Sequence, residues 1–364
     1  MTRAFTADRR RLAALRLAAQ GIDSPAFSTP AEVARHLLAM QAQDFGGAKW
    51  SIGLRTATAT DADVEEAIAR REIVRSWPMR GTLHITAAED LGWILGLTGE
   101  RTVQSAAGRH RQLGLDDEAF ALAARIATTE LERHGVVSRT ALLAAFDAAG
   151  LSTAGQRGAH LLVYLCATRL LVFGPVEGKQ HSFVLLDDWV RTRRDLVGDD
   201  ALAEFARRYF VSHGPASDRD FAWWSSLTLT QARRGIAVAA DELEALEIEG
   251  VMYWHRPDLE PAATGVVALP GFDEYVLGYQ NRAAQLAPEW FDRIVPGGNG
   301  MFMPTIVVNG EIVGTWKRTA TARATKIAAT PFASITASVD AAFARYGSFL
   351  ATPVEVTLLP LALP

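Results

Sequence analysis

One cysteine in 364 residues, Cys166, excludes a disulfide framework and points to a reducing compartment. It lies in the apolar stretch 161–166 (LLVYLC) and reads as a buried, inert thiol. Long hydrophobic runs are also missing. Residues 159–173 are interrupted by Arg169 and are too short to span a bilayer. Residues 2–22 carry Arg3, Arg9, Arg10, Arg11 and Arg16 where a signal peptide needs an unbroken apolar core. A cytoplasmic protein with no membrane partner is therefore expected. The common chemical signatures are absent too: no phosphate loop, no dinucleotide-binding glycine pattern, no His-Glu-x-x-His and no Gly-x-Ser-x-Gly. The eight histidines are scattered singly, so neither a metal nor another cofactor is expected.

What is present describes a globular chain, 49% apolar and 21% charged, long enough for two to four domains. The net charge of −4 counts against nucleic-acid binding by the molecule as a whole. The field over one face matters more than the sum, however, and basic residues do cluster. Arg101, Arg109, His110 and Arg111 form one stretch free of acids; Lys317, Arg318, Arg323 and Lys326 form another.

A pattern of helix, helix and hairpin recurs three times. In the first copy residues 8–20 have helical apolar spacing, and Thr29-Pro30 opens a helix expected to run from Ala31 to about Gln43. Thr60 opens another, residues 73–85 read as two strands around a turn, and Thr86 with Glu89 reads as a capping box. In the second copy Ser138 caps a helix, a helix follows around 157–170, and 171–173 pairs with 182–186 through a Pro175/Gly178 turn. The third runs from Ala201 through a cap at Ser217 and the segment beginning at Thr230 to strand-like residues 246–254. Helix-turn-helix plus a hairpin is the winged-helix plan. After Pro261 the chain turns β-rich: 266–269, 303–308, 311–316 and 354–359 read as strands, with an Asn309-Gly310 turn and a helix over 337–346. Gly297-Gly298-Asn299-Gly300 is expected to join another hairpin. The expected fold is α+β, three tandem winged-helix units (1–112, 113–198, 199–260) followed by a β-barrel-like domain (261–364).

One segment stands out chemically: residues 38–47, LAMQAQDFGG. On a regular helix Gln41 and Gln43 point about 200° apart. In extended backbone they share a face. Gly46-Gly47 suggests that a helix ends here and would permit the second geometry. Read alone, the two glutamines either solvate a helix end or serve one site.

The chain resembles the AlkZ/YcaQ family of winged-helix DNA glycosylases, which act on alkylated and interstrand-crosslinked DNA. The stretches that carry the resemblance are MQAQD (40–44), RSWPMRGTLHI (75–85), DFAWWSSLT (220–228), LPGFDEYVLGY (269–279) and, within 297–318, GGNGMF and VVNGEIVGTWKR. They cover most of the chain in the expected order. The resemblance implies three winged helices, a C-terminal barrel and a catalytic glutamine-apolar-glutamine (or aspartate) motif. Gln41-Ala42-Gln43 matches the glutamine version, the AlkZ-type branch.

That branch implies a monofunctional glycosylase for N7-alkylated purines, extending to bulky adducts or crosslinks in double-stranded DNA. Alkylation at N7 already makes the base a good leaving group, so two neutral amides that hold a water and stabilise the sugar cation suffice. For DNA contact the candidates are Arg75, Arg80 and His84 in the first hairpin, with Asn299, Lys317 and Arg318 near the C-terminus. Arg80-Gly81 is expected to hold a flexible cation near a turn, and Trp77 to pack. Asp44 is expected to cap or orient a neighbour, and the adjacent acids Asp273 and Glu274 to be structural. A monomer is expected. The alternatives are a non-catalytic winged-helix DNA-binding protein or transcriptional regulator, and an enzyme acting on a small glycoside.

Overall fold

The computed structural model describes residues 6–177, 180–263, 265–321, 323–332, 335 and 338–361. Its first third contains α1 (Ala7–Ala19), α2 (Pro30–Leu37), β1 (Met40–Gln41), α3 (Phe45–Arg55), α4 (Asp61–Ala69), β2 (Ile73–Met79), β3 (Thr82–Ala87) and the long α5 (Ala88–Gln112). Local chemistry sets several of these starts. Thr29 and Glu32 form a reciprocal capping box with Pro30 in the first turn, and Thr60 with Asp63 does the same for α4. Thr86 does not behave this way: it stays in β3, and α5 begins from Ala87 with no side-chain cap. The three strands form a sheet in the order β1-β3-β2.

The second third repeats the scheme with α6 (Asp117–His134), β4 (Val137–Ser138), α7 (Arg139–Ala148), α8 (Arg157–Ala167), β5 (Leu171–Glu177), β6 (Gln180–Leu185) and a single turn, α9 (Leu186–Trp189). Ser138 caps α7 as its sequence suggests. Pro175 lies inside β5, not in the turn. It sits where the pairing register slips between Phe173 and Val176, which suits a residue with no N–H to donate. Gly178 falls outside the described residues. Cys166 is fully buried and unpaired, and burial pushes its thiol far above the usual range.

A third unit comprises α10 (Gly198–His213), α11 (Asp218–Ser225), α12 (Leu229–Val238) and the hairpin β7 (Glu244–Ile248) with β8 (Val251–His255). Ser217–Asp220 and Thr228–Gln231 are capping boxes, so α12 opens at Thr228, two residues before Thr230.

The remainder holds β9 (Val266–Leu269), short α13 (Glu274–Leu277) and α14 (Phe291–Ile294), then β10 (Thr305–Val308), β11 (Glu311–Ala320), β12 (Thr325–Pro331), α15 (Asp340–Phe349) and β13 (Val354–Leu358). The strands make one sheet in the order β13-β12-β11-β10-β9, so β13 and β9 are its edges. The expected barrel is thus an open, half-barrel sheet. Asn309 and Gly310, with φ of 51° and 86°, make the tight turn between β10 and β11. The glycine-rich loop at 297–300 joins α14 to β10 and closes no hairpin.

One apolar core ties the first unit to this sheet. Trp50 in α3 packs 4.9 Å from Tyr346 and 5.2 Å from Phe349, while its indole N–H donates to the Ala268 carbonyl at 2.9 Å. Trp316 enters the same core and donates to the Leu269 carbonyl at 2.8 Å. Burial of a large apolar side chain of this kind stabilises by roughly 1.5–3 kcal/mol.

Candidate active site

Helix α2 stops well before the glutamines. Leu38 takes a left-handed φ of 66°, and the chain leaves the helix there, six residues sooner than its pattern suggests. Met40 and Gln41 then pair antiparallel with Ile85 and His84. Ala42 continues the pairing by donating to the Leu83 carbonyl at 2.6 Å. The backbone is therefore extended through Ala42 and bends at Gln43, and both glutamine side-chain oxygens meet the β2–β3 hairpin, Gln41 at Arg80 and Gln43 at the Leu83 amide. Gly46 and Gly47 do not end a helix; they lie in the first turn of the next, α3. Gly46 lies directly under Arg318: a Cβ there would stand 2.5 Å from its Nη2, at the flexible end of that side chain.

Five contacts fix this tripeptide. Glu274 Oε1 accepts the Gln41 amide at 2.8 Å, and Leu83 receives the Ala42 amide. Arg75 donates to the Ala42 carbonyl at 2.8 Å. Arg80 donates to Gln41 Oε1 at 3.3 Å, and the Leu83 amide donates to Gln43 Oε1 at 3.0 Å. Each amide oxygen keeps a second lone pair, and among the described residues neither Nε2 has a protein acceptor.

Behind Gln41 lies a cluster of buried charge. Glu274 is fully inaccessible; its Oε2 accepts the Trp224 indole N–H at 2.8 Å and stands 3.4 Å from Nε2 of His213. Burial alone would raise its pKa, but His213, Arg80 and His84 outweigh burial and hold the carboxyl down at about 2. His84 is equally buried. An arginine can only donate, so His84 Nε2 accepts from Arg80 at 3.0 Å and Nδ1–H is left to donate to the Thr82 carbonyl at 2.9 Å. Burial, and then the Arg80 charge, lower this imidazole to about 3, so it is neutral.

These contacts revise the expected surface roles. His84 has no exposed surface and Arg75 is only 5% exposed, so neither presents a free group to a phosphate. Their contacts turn them toward the glutamine strand. Arg80 is not a flexible turn cation: its φ is 55°, its amide donates to Ser226 Oγ at 3.1 Å, and its guanidinium reaches inward to Gln41 and His84. Arg318 is brought to the site from the far sheet, 4.0 Å from Asp44 and hydrogen-bonded to the Tyr346 hydroxyl. Lys317, its neighbour on β11, is exposed and points to the other face of the strand. Asn299 is exposed in its loop, where Oδ1 accepts the Met301 amide at 2.8 Å; no contact brings it to the glutamines. Asp44 occupies the N-cap position of α3 without a side-chain cap bond. Asp273 and Glu274 point apart, Asp273 toward Arg55 and Glu274 toward Gln41.

Two chains of cations and aromatic rings lead away from the glutamines. From Gln41, Arg80 lies 5.2 Å from the Trp223 ring, and Arg282 lies 5.0 Å from Trp223 and 5.3 Å from Phe302. From Ala42, Arg75 lies 5.1 Å from Phe45 and 5.2 Å from Phe173, with its Nη1 3.2 Å from Nε2 of His181. Trp77 packs against Phe173 at 5.0 Å. Sequence reasoning missed Trp223, Trp224, His213, Arg282 and His181. The tryptophans stand in the stretch DFAWWSSLT, so a signal for them existed; His181 lies outside every resembling stretch. Among the described residues no group of three or more His, Cys, Asp or Glu could hold a metal ion, and no helix is long and apolar enough to cross a membrane.

Comparison with known proteins agrees with this architecture. A relative from Streptomyces sahachiroi, named interstrand DNA cross-link repair glycosylase, is 27% identical over 329 residues, covering 85% of this chain and 87% of that protein. The solved structure of the Streptomyces sahachiroi DNA glycosylase AlkZ superposes with a TM-score of 0.80 at 23% identity, over 96% of this chain and 99% of that one. It establishes the shared fold. The family model described as DNA glycosylase AlkZ-like matches residues 34–352, and so the chain belongs to the AlkZ-like DNA glycosylase family.

Proposed function

We propose that this protein hydrolyses the N-glycosidic bond of N7-alkylated purines in duplex DNA, with Gln41 and Gln43 as its catalytic pair. The observation that supports the reading is the Gln41-Ala42-Gln43 segment, held at five points, with the side-chain oxygens of both glutamines bonded to the β2–β3 hairpin. An N7-alkylpurine is cationic. Its N9–C1′ bond breaks with the electron pair leaving on the base, which becomes neutral, and the sugar is left as an oxocarbenium ion. Water then adds to C1′ and loses a proton. Oriented amide dipoles stabilise the developing positive charge and hold the water, and no strong acid is required. The name of the Streptomyces relative supports extending the substrates to interstrand crosslinks.

Each of the first three units joins helices to a small sheet or hairpin, which supports reading them as winged helices set along the duplex. In this reading Arg318, Lys317 and Asn299 contact the DNA, and Arg75, Arg80 and His84 support the catalytic strand from behind it. The division at residues 112, 198 and 260 follows the same units.

The test is incubation with a duplex carrying a defined N7-alkylguanine, followed by alkaline cleavage at abasic sites. Scission above the spontaneous background is expected, and Gln43→Ala should abolish it while DNA binding persists. Wild-type excision by Gln43→Ala would sink the assignment. Absence of scission with a simple adduct, a bulky adduct and a crosslink alike would leave a DNA-binding protein without this activity.

A further inference from the structure

We infer that Glu274 is a positioning residue for the glutamine strand, holding Gln41 in register through its backbone. The inference rests on the reading of Gln41 and Gln43 as the catalytic pair.

Strand β1 is only two residues long and lies at the edge of its sheet. On its inner side β3 supplies the pairing through Gln41↔His84 and the Ala42–Leu83 bond. On its outer side no strand follows, and the Gln41 amide would be left without a partner. Glu274 Oε1 takes that place at 2.8 Å, so a side chain does the work of a neighbouring strand. A strand this short has little rigidity of its own, and its outward hydrogen bond decides where the Gln41 Cα sits.

The carboxylate is itself clamped. Its second oxygen accepts the Trp224 indole at 2.8 Å and lies 3.4 Å from His213, and all three side chains are fully buried. Glu274 opens α13, whose start is capped by Asp273, and Asp273 is locked to Arg55 of α3. The position of Gln41 is thus referred to α10, α11 and α3 through one carboxylate. A buried carboxylate is retained only where several donors and opposite charges compensate its desolvation, as here. An anchor serving only stability would have no need to spend those donors on the one amide that carries the candidate catalytic side chain.

The charge also balances the site. Arg80 reaches the same Gln41 from the other direction, through its side-chain oxygen. An uncompensated guanidinium there would oppose a sugar cation, and the Glu274 carboxylate offsets it in a medium where charges are poorly screened.

The experiment measures single-turnover excision of an N7-alkylguanine at saturating protein, beside the Kd for the same duplex, in wild type, Glu274→Gln, Trp224→Phe and Gln43→Ala. Glu274→Gln keeps one acceptor oxygen, so either the Gln41 or the Trp224 N–H meets an NH2 group, and the charge is removed. Its rate should fall by about tenfold to a hundredfold, the loss expected from a misplacement near 1 Å, with Kd unchanged within about twofold. Trp224→Phe removes one clamp and should lower the rate by a smaller factor, again at constant Kd. A purely structural role would move Kd and thermal stability with the rate, and that result overturns the proposal. If Glu274→Gln does not fold, Trp224→Phe decides: a wild-type rate overturns the proposal. Should Gln43→Ala excise normally, the reading of the glutamines fails; should it be inactive while Glu274→Gln and Trp224→Phe both match wild type, only the role of Glu274 fails.

Discussion

Arg55 and Asp273 form a two-pronged ion pair at 2.9 Å on each arm, and neither side chain is accessible to solvent. Ser51 Oγ and the Tyr275 amide complete the coordination of Asp273 at 2.6 and 2.9 Å. The pair joins α3 of the first unit to the start of α13. Asp273→Ala leaves a guanidinium buried without its partner, and a loss of about 3–5 kcal/mol in urea unfolding is expected. The double variant Arg55→Met/Asp273→Ala should lose less than the sum of the single changes, because no charge is then stranded.

Gly99 lets α5 and α8 approach closely. A Cβ at this position would overlap the carbonyl oxygen of Ala167, a backbone group with no freedom to withdraw. Alanine favours helix over glycine by about 1 kcal/mol, yet Gly99→Ala should destabilise by about 1–3 kcal/mol through overpacking. The melting temperature checks this directly; an unchanged or raised value would contradict the close approach.

Stability should fall on the acid side of neutrality. Burial holds His84 at about 3 and His36 at about 4, both below the ordinary 6.5. The unfolded chain therefore binds protons that the folded chain refuses. Their contribution is complete above about pH 6.5 and is lost as pH falls from there through about 4 for His36 and about 3 for His84. Each histidine adds a slope of up to ~1.4 kcal/mol per pH unit inside its window. Urea midpoints taken from pH 7 to pH 4.5 should drop steadily, and a flat profile would refute the neutral, buried assignment of both rings.

Arg318 is held over Gly46, and only the flexible end of its side chain would meet an added methyl group. Gly46→Ala should therefore leave stability within about 1 kcal/mol while displacing the guanidinium. Arg318→Ala should flatten the dependence of log K on log[salt] for duplex binding by about one unit, the loss of a single phosphate contact. Gly46→Ala is expected to move the slope in the same direction, with no further effect when the two changes are combined.

How much of this could be read in advance depended on distance along the chain. Caps at Thr29, Thr60, Ser138 and Ser217, and the Asn309-Gly310 turn, are decided by neighbours within a few residues and are legible in the sequence. The helix expected as far as about Gln43 ends at Leu37 instead, so Gln41 takes the extended one of the two geometries that its spacing leaves open, and Gly46-Gly47 serve the next helix. Thr86 met the local pattern for a cap but was already committed to β3 by pairing with Val74. The buried place of His84 and the inward turn of Arg75 depend on partners in β1 and β6, and a hairpin seen alone reads such residues as exposed. Glu274 reaches Gln41 across 233 positions, a separation at which no local pattern operates.

The candidate site draws on residues 41–43, 75–84, 213–224, 274 and 318, and Arg318 rests on Tyr346 in α15. During synthesis the glutamine strand leaves the ribosome early, whereas its carboxylate anchor and its overlying arginine come among the last segments. A nascent or prematurely terminated chain therefore holds both glutamines without the carboxylate that accepts the Gln41 amide and without the arginine beside Asp44. If the glutamines act as proposed, such fragments are expected to release no bases from DNA, and the resting place of Arg318 on Tyr346 forms only when α15 has docked.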